Sequence, residues 1–179
     1  MNLYYIRHGQ SEANINNIWS GQLDSLLTSE GRIQAKEAGD KALSEGLRFD
    51  KIYSSPLKRA YDTAVAIAEA TKYPVQNIVI NNDLMERSFG MLEGTSHEDA
   101  IKAYFEHESG IDEYKGVEKF ADLYERAEKI LASIKNSDGE TILIVSHGAL
   151  GRALRRHIEH LPLESKVEPY PNAKIFKLI

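Results

Sequence analysis

The stretch from Thr141 to Leu150, TILIVSHGAL, decides how this chain folds. Ile142 to Val145 are aliphatic without interruption, which marks a strand buried on both faces rather than one alternating between core and solvent. His147 and Gly148 break the run, and a helix is expected from about Ala149 to Glu159. The same grammar occurs near the other end of the chain, where Leu3-Tyr-Tyr-Ile6 runs directly into Arg7, His8 and Gly9. Strands of this kind, separated by helices, specify an α/β fold with a mostly parallel sheet.

The remaining elements fit between these strands. Thr28 is placed to cap a helix from about Ser29 to Leu43, with Glu30 in its first turn and Gly46 closing it. Phe49 to Ser54 reads as a strand. Ser55-Pro56 reads as a helix start, because proline at the first helical position loses no bond it needed. That helix, with Ala60, Ala64, Ile67 and Ala68 on one side, is expected to end near Thr71. Val75 to Ile80 reads as a third short strand. Ser96 to Asp99 resembles a capping box and opens a helix to about His107. Glu108 to Gly116 reads as an acid- and glycine-rich loop. Val117 to Asn136 carries Phe120, Leu123, Tyr124, Ala127, Ile130, Leu131 and Ile134 at helical spacing, a core-facing stripe. Asn172 to Leu178 alternates as an edge strand, and no internal repeat is visible.

A chain of 179 residues with 42% hydrophobic and 27% charged residues matches one soluble globular domain, residues 1–179. Cysteine is absent, which excludes disulfides and thiolate metal sites. No apolar run approaches the roughly 20 residues that span a bilayer. The opening residues lack the basic and long apolar regions of a signal peptide, so a cytoplasmic enzyme or binding protein is expected, without a membrane partner. The formal net charge of −5 argues against broad nucleic-acid binding. A small basic pocket within an acidic surface remains compatible with it.

Ligands of open α/β sheets bind at the carboxyl ends of strands. His8 and His147 each stand at such an end and are positioned to face one another across a pocket. Gly9 and Gly148 are expected to let the backbone turn and approach a ligand. Arg59, in "SSPLKRAYDTA", falls in the first turn of a helix and, with Arg7, can neutralise most of a phosphate dianion. Glu86, flanked by Leu84, Met85 and Phe89, is expected to have a raised pKa in partly apolar surroundings, which suits a general acid. The chemistry these residues permit is phosphoryl transfer. Neutral His8 attacks phosphorus, Arg7, Arg59 and His147 stabilise the equatorial oxygens, and Glu86 protonates the leaving oxygen before serving as base toward water. No metal or other cofactor is called for.

The motifs RHGQSEAN, LTSEGRIQA, SSPLKRAYDTA, ERSFGMLEG and VSHGAL, in this order, resemble those of the histidine phosphatase superfamily, the phosphoglycerate-mutase-like proteins. The match covers roughly residues 3–95 and 141–151, and PNAKIFKL resembles the family's last strand. The resemblance implies a three-layer α/β/α fold with a small α-helical insertion, here around residues 94–138. It makes His8 the phosphorylated nucleophile, Arg7, Arg59 and His147 the phosphate pocket, and Glu86 the proton donor. Asn14 matches an asparagine that contacts the phosphate, and Ser20, Gly21 or Gln22 lines the same pocket. Arg87 and Gly148, beside Glu86 and His147, complete the expected substrate-binding set.

Within the family, a histidine acid-type phosphatase, a phosphoric monoester hydrolase, is expected. The mutases carry a longer insertion with lysine and paired arginines, whereas no arginine occurs here between Arg87 and Arg126. The acidic stretch EHESGIDEYKGVE is expected to repel a second anionic group. Phe89 also stands where mutases commonly have tyrosine. The expected partner is therefore a small-molecule phosphomonoester whose remainder is not strongly anionic, turned over by a monomer or homodimer. The alternatives are a phosphoglycerate mutase-type transfer and a non-catalytic phosphate-ester-binding module. Elsewhere, His157 and His160 are expected at a solvated helix end, and Arg152, Arg155 and Arg156 along a solvated face. Trp19 either borders the pocket or packs beneath it.

Overall fold

The computed structural model describes residues 1–137 and 139–179. Asp138, the last residue of the expected insertion, lies outside the described residues. A sheet of strands β1 (Asn2–Arg7), β2 (Lys51–Ser54), β3 (Val79–Ile80), β4 (Thr141–Ser146) and β5 (Ile175–Lys177) runs in the order β3-β2-β4-β1-β5. All pairings are parallel except that of β5, which lies antiparallel along β1. Helices α1 (Glu12–Ile15), α2 (Ser29–Ser44), α3 (Lys58–Thr71), α4 (Glu98–Glu106), α5 (Phe120–Lys135) and α6 (Gly148–Ile158) complete the chain.

β4 is flanked by β1 and β2, and Ile142 to Val145 are wholly buried. Their side chains alternate between two cores because strand residues point to opposite faces. Ile142 and Ile144 join Leu3, Tyr5 and the apolar faces of α5 and α6. Leu143 and Val145 join Ile6 and the faces of α2 and α3. Each such side chain contributes roughly 2 kcal/mol on burial, which fixes the register of the strand that delivers His147. On the second face α2 and α3 approach closely at Gly39, where a Cβ would lie 2.7 Å from the Ala70 Cβ. The result is helices on both faces of one sheet.

A third, smaller core holds the insertion. Trp19, Phe89, Leu92, Ala100, Ile111 and Val117 cluster there, with Ile101, Tyr104 and Tyr114 packed against them.

Several boundaries differ from expectation. α3 begins at Lys58, and Pro56 lies in the turn before it, because Ser55 Oγ accepts the Leu57 N–H and holds that turn open. Val75 to Ile80 splits into a 3-10 turn at Val75–Asn77 and the short edge strand β3. α4 starts one residue late for a capping box, with His97 at the N-cap and no side-chain cap. The expected loop after α4 begins with a 3-10 turn, Glu108–Ile111. α5 begins at Phe120, whose N–H is taken by Asp112 Oδ1, while Val117 is tied to Phe89 by an isolated bridge. β5 is shorter than the alternating stretch, and Asn172 instead bridges to Arg7.

Candidate active site

β1, β4 and the start of α3 bring their polar ends to one edge of the sheet. Arg7, His8, Asn14, Arg59 and Glu86 line a cavity of about 760 Å³ there. The His8 and His147 rings stand with centroids 5.2 Å apart. Both side chains are buried, His147 completely.

Hydrogen bonding assigns the His8 tautomer. Nδ1 lies 2.7 Å from the Gly9 carbonyl oxygen, which can only accept, so Nδ1 carries the proton. Nε2 is then a lone pair, and it accepts from Arg59 Nε at 3.3 Å. Burial, with Arg59 and Arg7 nearby, holds the imidazole well below its ordinary pKa of 6.5. His8 is therefore a neutral base whose Nε2 stands beside a guanidinium, the arrangement of an imidazole nucleophile for an anionic electrophile.

His147 is held the same way, by burial first and then by Arg59, His8 and Arg7. Its Nε2 lies 2.8 Å from Ser55 Oγ. Its Nδ1 and the Nε of Arg7 are buried without a protein partner. Arg7 lines the cavity, where an oxyanion supplies acceptors that an apolar ligand lacks, whereas His147 is wholly buried and is not among the lining residues. Arg7 is further anchored through Nη1 to the Tyr170 carbonyl at 3.3 Å. Beneath this, the Tyr5 hydroxyl donates to the His147 carbonyl, and Gly151 leaves it room: a Cβ there would lie 2.5 Å from the tyrosine oxygen.

Arg59 is almost wholly buried and holds the loop after α1, donating to the carbonyls of Gly21 at 2.7 Å and Leu23 at 2.9 Å. Ser20, Gly21 and Gln22 are placed differently. Ser20 lines the cavity, the Gly21 carbonyl positions Arg59, and Gln22 Nε2 donates to the Glu86 carbonyl at 3.1 Å. Asn14 Oδ1 accepts from Ser11 N and from Asn172 Nδ2, so its amide N–H groups are left for a ligand. Asn172 also donates to the His8 carbonyl at 2.7 Å, a positioning contact with no motif to announce it. Gly148 lines the cavity beside Arg7 and Glu86, with ordinary space for a Cβ. Gly9 is required for a different reason than ligand approach. A Cβ there would lie 2.3 Å from the Gly31 carbonyl oxygen, so the loop packs directly on the first turn of α2.

Glu86 is buried, and its carboxylate is hydrogen-bonded. Its Oε1 accepts from the backbone N–H groups of Arg87 at 2.9 Å, Ala149 at 3.1 Å and Leu150 at 3.2 Å. The carboxylate thus sits on the N-terminus of α6, where the helix dipole favours an anion.

Arg87 does not reach the cavity. Its buried guanidinium is spent on the carbonyls of Glu118 and Glu108, both at 2.7 Å, and on Asp112 Oδ1 at 2.5 Å, pinning the insertion to the sheet edge. The acidic stretch is likewise spent internally. Glu108 binds Arg152 and Arg156, and Glu118 binds Arg126, so these carboxylates do not face a ligand. Consequently Arg152 and Arg156 are buried, not solvated, and Arg152 lines the cavity. His157 is also packed, its ring stacked on Tyr124 at 3.7 Å with Nε2 against the Tyr124 carbonyl. Among the described residues, no group of three or more His, Asp or Glu side chains is placed to hold a metal ion, and no helix is long and apolar enough to cross a membrane.

The far wall came from residues with no polar signature. Trp19, Phe89 and Tyr104 meet edge to face, Trp19 with Phe89 at 4.6 Å and with Tyr104 at 5.3 Å. Trp19 therefore both borders the cavity and packs within the small core.

The family model of the histidine phosphatase superfamily (branch 1) matches residues 3–178. A 2,3-bisphosphoglycerate-dependent phosphoglycerate mutase of Bartonella bacilliformis is 35% identical over 176 residues, covering 92% of this chain and 84% of that protein. Among solved structures, a mycobacterial glucosyl-3-phosphoglycerate phosphatase in complex with VO3 is similar at a TM-score of 0.84 and 29% identity, covering 97% of this chain and 90% of that one. A phosphoserine phosphatase of Entamoeba histolytica, in complex with 3-phosphoglyceric acid, is similar at a TM-score of 0.77 and 27% identity, covering 97% and 88%.

Proposed function

Since the chain belongs to the histidine phosphatase superfamily, we propose that it is a phosphomonoesterase working through a phosphohistidine at His8. His8 Nε2 attacks phosphorus in line with the ester oxygen. Arg7, Arg59 and His147 donate to the equatorial oxygens as charge builds on them. In this reading Glu86 enters the complex carrying a proton. This proton passes to the leaving alkoxide as the phosphorus–oxygen bond breaks. Water then attacks phosphohistidine, giving one proton back to Glu86 and releasing inorganic phosphate with neutral His8.

The observation that favours hydrolysis over transfer is the composition of the cavity. The insertion contributes Ser96, Glu98, Ile101, Tyr104 and Phe105 to the lining and no cation. A mutase dependent on a bisphosphate must hold a second phosphoryl group while the intermediate turns around. Asn16, Asn17, Glu98 and Phe105 are exposed at the rim and leave the nucleophile within reach of water.

Measuring inorganic phosphate and isomer formation from 3-phosphoglycerate side by side separates the readings. Release of phosphate, abolished in His8→Ala and insensitive to EDTA, is expected. Isomer formation exceeding release makes the protein a mutase, and turnover persisting in His8→Ala removes the phosphohistidine.

A further inference from the structure

The cavity holds a second donor cluster away from the histidines. Arg152 Nη2 donates to the Tyr104 hydroxyl and, at 2.9 Å, to Glu108 Oε2. Arginine has no acceptor, so the Tyr104 oxygen accepts this bond and keeps its own proton free to donate. Among the described residues, Arg152 Nε and Nη1 make no hydrogen bond, and neither is among the buried atoms without a partner. Behind Arg152, Glu108 also binds Arg156 at 2.6 Å. Burial would push the Glu108 carboxyl up, but the two guanidiniums hold it below the usual carboxylate range. One carboxylate against two guanidiniums leaves this cluster a single net positive charge, and of its members Arg152 and Tyr104 line the cavity while Glu108 and Arg156 do not. Tyr104 is kept protonated, its hydroxyl pushed up to about 12 chiefly by burial.

We propose that Arg152 and the Tyr104 hydroxyl form a specificity subsite for a carboxylate on the alcohol portion of the substrate. The inference rests on the phosphomonoesterase reading and deepens it. A planar carboxylate, acceptor-only and singly charged, matches a guanidinium fork with an adjoining hydroxyl, whereas a second phosphoryl dianion exceeds the available charge. Arg152 lies four residues along α6 from Gly148, a rise of about 6 Å from the end where Glu86 sits. The cation comes from α6 and not from the insertion, which supplies Glu108 to orient it. Glu86 and Glu98 are the remaining acids of the cavity lining, at its floor and rim.

The test compares phosphoserine with phosphoethanolamine, which differ only in the carboxylate, and 3-phosphoglycerate with glycerol 3-phosphate. Binding to the His8→Ala protein is followed through emission of the sole tryptophan, Trp19, which lines the cavity, or by calorimetry where emission is silent. The carboxylated member of each pair should bind roughly 10- to 100-fold tighter. Arg152→Gln in the same background should bring that ratio near one, and Arg152→Lys should restore part of it. Should Arg152→Gln fail to fold, Tyr104→Phe replaces it, with a smaller fall expected. A ratio near one in His8→Ala, or one unchanged in the folded variants, overturns the subsite. Because binding is read without turnover, absence of phosphate release from every ester would refute the phosphomonoesterase reading and leave this measurement standing.

Discussion

Replacing Glu86 by glutamine separates two roles that the structure gives one carboxylate. Oε1 accepts from Arg87, Ala149 and Leu150, and Oε2 lies 3.1 Å from Ala149 N. Glutamine keeps one carbonyl oxygen for these donors but removes the charge from the N-terminus of α6. At a partly buried helix end that loss costs about 1–2 kcal/mol. For a domain of this size it lowers the melting temperature by roughly 2–8 °C. Removing a general acid slows catalysis by roughly 10²- to 10⁴-fold where the leaving oxygen needs a proton. An alkyl phosphate needs it; p-nitrophenyl phosphate, whose phenolate leaves unaided, does not. Thermal unfolding and kcat/KM on both esters are therefore measured on the same preparation. The expected result is a modest fall in stability with a much larger kinetic loss on the alkyl ester. Equal losses on the two esters would refute the proton-donor role, and an unchanged melting temperature would refute the helix-end reasoning.

Two further outcomes follow from the buried groups. His8 and His147 resist protonation in the folded state, whereas in the unfolded chain they titrate near 6.5. Below that pH the unfolded state binds more protons, so stability should be full above it and decline progressively as the pH falls through about 6.5. Denaturant titrations across this range should show that slope, made shallower by His8→Asn; a slope independent of that substitution would contradict it. At Gly31 a Cβ would lie 1.9 Å from the Gln10 carbonyl oxygen, a backbone atom that cannot swing aside. Gly31→Ala should cost about 1–3 kcal/mol or more in equilibrium unfolding, and a wild-type stability would show the loop after His8 to be looser than its geometry.

The strands were legible because burial on both faces leaves an unbroken aliphatic run, as in Ile142 to Val145, and only the middle of a covered sheet permits one. Helix starts were less legible where another contact claimed the capping group. Ser55 is such a case, since its hydroxyl serves both the turn and His147. Ser96 is another, standing at the cavity instead of capping α4. His8, Arg59 and His147 could be singled out because polar residues that end buried strands or open helices carry few packing explanations, and Glu86 because Leu84, Met85 and Phe89 flank it. Arg152 and Arg87 were misassigned for one reason. A charged side chain reads as solvated, or as a ligand contact, until its partner is known, and these partners lie 44 and 25 residues away.

The sequence by itself determined the mostly parallel sheet, the two histidines at strand ends and the cationic character of the pocket, because local patterning and motif order carry that information along the chain. Only the tertiary structure decided which acids face solvent, ligand or arginine. It placed Glu86 on a helix end, turned the acidic stretch inward, and set Arg152, paired with Glu108, at the cavity wall. Such pairings depend on Coulomb and hydrogen-bond energies between residues distant in the chain, and these vary with distance in space, which no spacing in the sequence records.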